Sequence, residues 1–412
     1  MTERVARFAR TRDPRALWPE LTESASAEAR RAIERAVRAV LADETRVVLD
    51  AHGKDAIYAL TVAGFTTGTG PLLARWMEDG RVQAPSAVRD AFALQLKHGR
   101  GRAARMQHGV LPAFDALLAR DITPVVIKGF HTAQAYCEEP GVRPMSDVDI
   151  VVPPERIDEA EVALEAANFR PRTPRVRPYQ RDWVAANVDP RVFSVERHDV
   201  RSRWHLELHE SFNRKFPNFV QADLDGERHH VTTIDVAGRR LLAPAQPLLL
   251  LVLACQLSSE LGTIRLMRLI DLVRAVRADR AKGTLDWDDV LAALQRTGAA
   301  RFTYPALAMA EDLAPGTIDP RVINVARDAS TWGVRHRVDR LAPGGNSLEG
   351  TSLIAKFMWA QNPIGVARSA LDFLTRGTSP SGASQWRAFM RHLTAGALSL
   401  GAPDERKNGA SD

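Results

Sequence analysis

Apolar residues recur at helical spacing through the first 120 positions of the chain. Ala27–Asp43 reads as an alanine-rich, arginine-studded helix, with Ser24 and Ser26 as candidate N-caps. Asp55–Val62 and Pro71–Met77 follow, and Gly68-Thr69-Gly70 is a breaker just before Pro71. Val88–Leu118 places Phe92, Leu96, Met106, Val110, Phe114 and Leu117 at helical spacing, with Gly99 and Gly101 as candidate breaks that would divide it in two.

The period then shortens. Pro124–Gly129 reads as a short apolar strand ending in glycine, His131–Cys137 as a short helix, and Glu139–Pro144 as a turn. Asp147–Val152 is a second strand, stopped by Pro153-Pro154. Glu155–Asn168 is an amphipathic helix, and a basic, proline-containing connector follows from Arg170 to Pro178. Val192–Glu196 and Val200–His209 suggest a hairpin, and Val231–Val236 one more strand. From Pro247 the helical period returns: Leu248–Leu261, Ile264–Ala278, Trp287–Gly298, Tyr304–Leu313, Leu353–Arg376 and a last short helix at Ser384–Leu400.

These patterns divide the chain into a helical region over 1–120, an α/β core over 121–236, a second helical region over 237–376, and a short helix with a polar tail over 377–412. The chain has 412 residues, enough to bury a sizeable core. With 45 % apolar and 26 % charged residues it has an ordinary globular balance. The net charge of +6 permits an anionic partner without demanding one. Nearly all positive charge is arginine, which weakens any reading of arginine clusters, whereas the seven lysines are more informative. Cys137 and Cys255 cannot make a disulfide framework, and they fit inert thiols in a reducing, cytoplasmic setting. The longest apolar run, Leu248–Cys255, falls far short of the roughly 20 residues of a membrane helix, so no membrane insertion is expected, nor a signal peptide at Met1–Arg12.

The chemistry concentrates in Lys128-Gly129 and Ser146-Asp147-Val148-Asp149. On a strand, residues two apart share a face, so Asp147 and Asp149 present paired carboxylates while Val148 and Ile150 face a core. Two adjacent carboxylates stay ionised only beside cations, and hard oxygen ligands of this kind suit Mg²⁺ together with substrate phosphates. Arg203–His209 supplies a third carboxylate. Its strict alternation reads as a strand with His205, Glu207 and His209 on one face, aimed at the aspartates if the strands are neighbours.

The run Lys128-Gly129, then Arg143–Val152, then Glu207-Leu208-His209 resembles the bacterial "uncharacterised nucleotidyltransferase" family, within the DNA-polymerase-beta-like nucleotidyltransferase superfamily. The likeness extends loosely over Val48–Leu313, including Leu266–Leu272 and Trp287–Leu291. It implies an α+β fold, a small mixed β-sheet nucleotidyltransferase core flanked by N- and C-terminal helical regions. By resemblance, Asp147, Asp149 and Glu207 are metal ligands and catalytic carboxylates for Mg²⁺ or Mn²⁺, with Glu207 activating the acceptor hydroxyl. The superfamily's Gly-Ser phosphate contact departs here, because Phe130 follows Gly129. Lys128 is the candidate replacement as a point charge, with Gly129, Arg143 and Ser146 as further nucleotide-binding candidates. Gln256 stands where the resemblance implies a histidine.

The implied reaction moves a nucleoside monophosphate from an NTP to an acceptor hydroxyl and releases pyrophosphate. A small molecule or peptide natural product is the favoured acceptor. Modification of tRNA or protein in a toxin-like role, or a non-catalytic nucleotide-binding protein on the same fold, are the alternatives. Blander readings stand beside these. An Asp-x-Asp pair caps many ordinary turns, and Lys128 can be a solvated strand end. His205 and His209 have zinc-like spacing but sit on a strand pattern, unlike the helical protease motif. Arg265, Arg268 and Asp271 suggest ion pairing within one helix, with nucleotide contact as the other reading. The basic stretches Arg4–Arg12 and Arg170–Arg181 read as solvated surface, and Trp386–Leu400 as a helix docked on the protein's own body.

Overall fold

The helical lead-in is built around breaks the sequence marks only in part. The computed structural model describes residues 16–172, 181–186, 204–213, 222–261 and 265–341, together with positions 3, 4, 7, 358, 359 and 364. Helix α1 (Glu23–Leu41) starts at Thr22, whose hydroxyl accepts the Ala25 amide, so Ser24 and Ser26 lie inside the first turn rather than capping it. Strand β1 (Val47–Val48) pairs in parallel with β2 (Val82–Gln83). Between them, α2 (Gly53–Thr67) ends at Gly68 in the left-handed conformation (φ 77°), and α3 (Gly70–Glu78) begins with Pro71 in its first turn.

Helix α4 (Ser86–Leu118) runs unbroken for 33 residues, so Gly99 and Gly101 do not divide it. Gly99 serves packing instead. A Cβ there would lie 2.2 Å from the Gly141 carbonyl oxygen, so the bare backbone lets α4 press against the turn at Pro140–Val142.

The sheet follows: β3 (Val125–Ile127), β4 (Asp147–Val151), β5 (Phe169–Pro171), β6 (Arg181–Ala185), β7 (His205–His209), β8 (Val231–Val236) and β9 (Arg239–Pro244). Two helices interrupt it, α5 (Lys128–Ala135) after β3 and α6 (Ile157–Ala166) after β4. The spatial order is β5-β6-β7-β4-β3-β9-β8, mixed, with parallel pairings β4–β7 and β3–β9. Strands β5, β6 and β9 are additions to the sequence reading. β9 returns from β8 through Ala237-Gly238, both at positive φ, the geometry of a tight hairpin turn. β5 takes in the first two residues of the stretch read as a connector, and β6 follows that stretch. The partners of β7 are β4 and β6; the expected hairpin strand Val192–Glu196 lies outside the described residues. So do nearly all of Leu353–Arg376, Ser384–Leu400 and the basic stretch Arg4–Arg12.

The sheet divides two cores. Val126, Val148, Ile150, Leu206 and Leu208 pack with α4 and α6. Val125, Ile127 and Val151 point the other way, into the core of helices α7 (Leu248–Ser258) and α8 (Leu266–Ala281). Every residue from Leu248 to Cys255 is buried, which explains why that run shows no polar face. Helices α9 (Trp287–Thr297), α10 (Ala300–Leu313), α11 (Pro320–Ala329) and α12 (Trp332–Val338) complete this side, the last two unanticipated. The architecture is α+β, a mixed sheet between N- and C-terminal helical regions. Neither cysteine forms a disulfide among the described residues, and burial pushes the Cys137 thiol up to about 12. Among the described residues, no helix is long and apolar enough to cross a membrane.

Candidate active site

Alternation on β4 places Asp147, Asp149 and Val151 on one face, with Val148 and Ile150 on the other. The parallel neighbour β7 sets Asp147 opposite His205 and Asp149 opposite Glu207. Since Leu206 and Leu208 face the α4–α6 core, His205, Glu207 and His209 share the face of the two aspartates. The register therefore gathers three carboxylates and two imidazoles on the central strands.

Their contacts are close. His205 Nε2 lies 3.0 Å from Glu207 Oε1, and His209 Nε2 lies 3.5 Å from Glu207 Oε2 and 2.9 Å from Asp149 Oδ1. The Lys128 ammonium bonds Asp149 Oδ1 and stands 3.9 Å from Glu207 Oε2. Asp149 is only 3 % exposed and Glu207 8 %, so these charges are held away from bulk water. Burial alone would raise the Glu207 carboxyl, but the bonds from His205 and His209 outweigh it and hold the group well below the usual carboxylate range. Burial likewise opposes charge on both histidines; Glu207, Asp147 and Asp182 shift His205 upward, and Asp149 and Glu207 shift His209 upward despite the nearby Lys128 charge. Asp147, Glu207 and His205 form one set of donors with the spacing of a metal site, and Asp149, Glu207 and His209 form a second.

Lys128 reaches this cluster from an unusual backbone. It has φ 56°, in the left-handed region, where β3 turns directly into α5. It is thus neither a solvated strand end nor a lone charge on the rim. Phe130, next but one, is 0 % exposed and packs edge-on against Phe114 at 6.5 Å between centroids. The position where the resemblance implies a phosphate-binding serine faces the core, so no side chain there contacts the cleft.

A cleft opens beside the aspartates. Gly129, Arg143 and Ser146 line it with Lys128, as does Gln256. Arg143 Nε donates to Asp271 Oδ2 at 2.7 Å, and Arg268 Nη1 to Glu260 Oε1 at 2.5 Å. The expected ion pairing within α8 is therefore replaced by pairs reaching outward from it. Arg265 and Arg268 both line the cleft. Burial opposes the Arg268 charge, yet Glu260, Asp147 and Asp149 raise its affinity for the proton above the ordinary value. The loop carrying Arg143 and Ser146 is anchored underneath, where buried Arg102 donates to the Met145 carbonyl at 2.7 Å. The far wall is Thr67-Gly68 at the end of α2, which the sequence marked only as a breaker.

Residues 58–315 match the family model described as uncharacterised nucleotidyltransferase. The chain belongs to that family. The match covers well over half of the 412 residues and includes both walls of the cleft, from α2 to α8. No curated protein matches the chain, and no solved structure does. Nucleotidyl transfer is the activity that membership in this nucleotidyltransferase family supports.

Proposed function

We propose that the chain transfers a nucleoside monophosphate from an NTP to an acceptor hydroxyl, releasing pyrophosphate, in a reaction dependent on Mg²⁺ or Mn²⁺. One observation carries the reading: Asp147, Asp149 and Glu207 converge on neighbouring strands, and the two aspartates line a cleft that Arg143, Arg265 and Arg268 also line. Carboxylates and arginines lining one cleft suit a phosphorylated substrate bound with its counter-ions.

The donors fit a hard divalent cation. All three carboxylates share one face, and the space by Asp149 and Glu207 already draws in a cation, the Lys128 ammonium. Asp147, Asp149 and Glu207 would hold the ion. When bound, such ions neutralise phosphate charge and stabilise the attacking and leaving oxygens of an in-line displacement. Arg143, Ser146, the Gly129 backbone and Lys128 would hold the phosphate chain. The acceptor oxygen bonds to the α-phosphorus as the bond to pyrophosphate breaks. Glu207, ionised at neutral pH, would receive the acceptor's proton. We favour a small molecule or peptide as acceptor; Thr67-Gly68 at the end of α2, Gln256 of α7 and Met267 and Arg268 of α8 line the cleft with the core residues.

The test is label transfer from each α-³²P NTP with Mg²⁺ or Mn²⁺, using cell extract as acceptor and the double variant Asp147→Asn/Asp149→Asn as control. Label moving to a small component only with the natural chain supports the proposal. Label on RNA or protein would replace the acceptor class. NTP binding without transfer to any extract would favour a non-catalytic nucleotide-binding protein.

A further inference from the structure

The Arg143–Asp271 pair is built in an unusual way for a structural ion pair. Asp271 is 2 % exposed at its side chain and Arg143 11 %. Burying such charges is costly, and the cost is best offset when the guanidinium fork and both carboxylate oxygens engage together. Here only Nε donates, to Oδ2 at 2.7 Å. Asp271 Oδ1 is buried with no hydrogen-bond partner among the described residues. The two outer nitrogens of Arg143 lie over Gly129: a Cβ there would be 2.2 Å from Nη1 and 2.8 Å from Nη2. Gly129 thus leaves the space that the fork occupies, one residue from Lys128 and its bond to Asp149.

We infer that Asp271 is a positioning residue, which pins Arg143 by its inner edge so that the outer edge is presented to the phosphate chain of the NTP. The inference rests on the nucleotidyl-transfer reading above. It makes α8, in the C-terminal helical region, part of substrate recognition by the core. A planar guanidinium held on one edge has a fixed direction for its remaining N–H donors, and less freedom is lost when a phosphate arrives. A lysine at 143 would keep the charge beside Asp271 but not the directed fork.

The test is calorimetric binding of the full chain, with Mg²⁺, to ATP, GTP, CTP, UTP and inorganic tripolyphosphate. Asp271→Asn is expected to weaken the bound NTP and tripolyphosphate alike by about tenfold, the loss of one charge-assisted contact. In transfer assays the loss should appear in KM with kcat little changed. Arg143→Lys should lose as much while its thermal midpoint stays near that of the natural chain. Combining Asp271→Asn with Arg143→Lys should add nothing further. If Arg143→Lys or Asp271→Asn binds as the natural chain does, or if the variants lower only the thermal midpoint, the pair is structural and the inference is wrong. If the natural chain binds none of the four NTPs, the nucleotidyl-transfer reading fails and takes this inference with it. Arg143→Lys preserves the buried charge pair, so the test survives even if Asp271→Asn folds poorly.

Discussion

Asp149 and Glu207 face each other across a parallel strand pair, and His209 and Lys128 bridge them. Like charges this close repel, and the Lys128 ammonium and the His209 ring between them offset that repulsion. A divalent ion would do the same work more strongly. Asp149→Asn or Glu207→Gln should therefore weaken Mn²⁺ binding more than about 100-fold, since loss of outer partners alone typically costs 10–100-fold. His209→Ala should fall within that smaller range. Electron paramagnetic resonance of bound Mn²⁺ reads this directly, and unchanged binding in Asp149→Asn would remove the metal assignment.

Phe130 stands at the position where the resemblance implies serine, but its ring fills the core between α5 and α4. Phe130→Ser should lower unfolding stability by about 3–5 kcal/mol, as for other large-to-small core changes. It should not raise nucleotide affinity. Urea unfolding and NTP binding together check both halves, and a gain in affinity would show that the position reaches the cleft after all.

Gly99→Ala sets two effects against each other. Alanine favours an α-helix by about 1 kcal/mol over glycine. The new Cβ would meet the Gly141 carbonyl oxygen at 2.2 Å, and backbone gives way poorly. Overpacking of this kind costs about 1–3 kcal/mol, so a net loss is expected in thermal unfolding. A stabilised variant would mean that the turn at Pro140–Val142 moves freely away from α4.

His131 is 1 % exposed, and burial pulls its imidazole down to about 4. The folded chain keeps it neutral, while an unfolded histidine takes up a proton below about 6.5. Its contribution is therefore intact above pH 6.5 and lost as pH falls toward 4, by about 3 kcal/mol in all. His131→Gln should flatten the fall of the thermal midpoint between pH 7 and pH 4.5. Identical slopes in the two proteins would show that other groups govern the acid limb.

The chemistry of the site was largely legible from alternation. Asp147-Val148-Asp149 and His205-Leu206-Glu207-Leu208-His209 each declare a polar and an apolar face, and a two-residue period leaves only one way to orient them. Most helices before and after the sheet were legible for the same reason, though α11 and α12 were not, and ends moved where caps decided them, as at Thr22 and Gly68. The two short strands at one end of the sheet were not. β5 and β6 together contain eight residues beside a basic stretch, and nothing local distinguishes them from a connector.

What the local pattern could never specify is which distant groups meet. Residue types and periodicity alone determined that two aspartates share a face, that a glutamate is flanked by two histidines, and that helices surround a small sheet. Only tertiary packing decided that β7 lies parallel to β4 in the register opposing Asp149 to Glu207, that Lys128 turns into that cluster, and that Phe130 turns away from it. It likewise decided that Asp271, 128 positions after Arg143, holds that arginine over Gly129. The physical reason is that side-chain direction follows from local backbone geometry. Charge pairing and close approach, in contrast, depend on contacts between distant segments that form only when the two cores pack against the sheet.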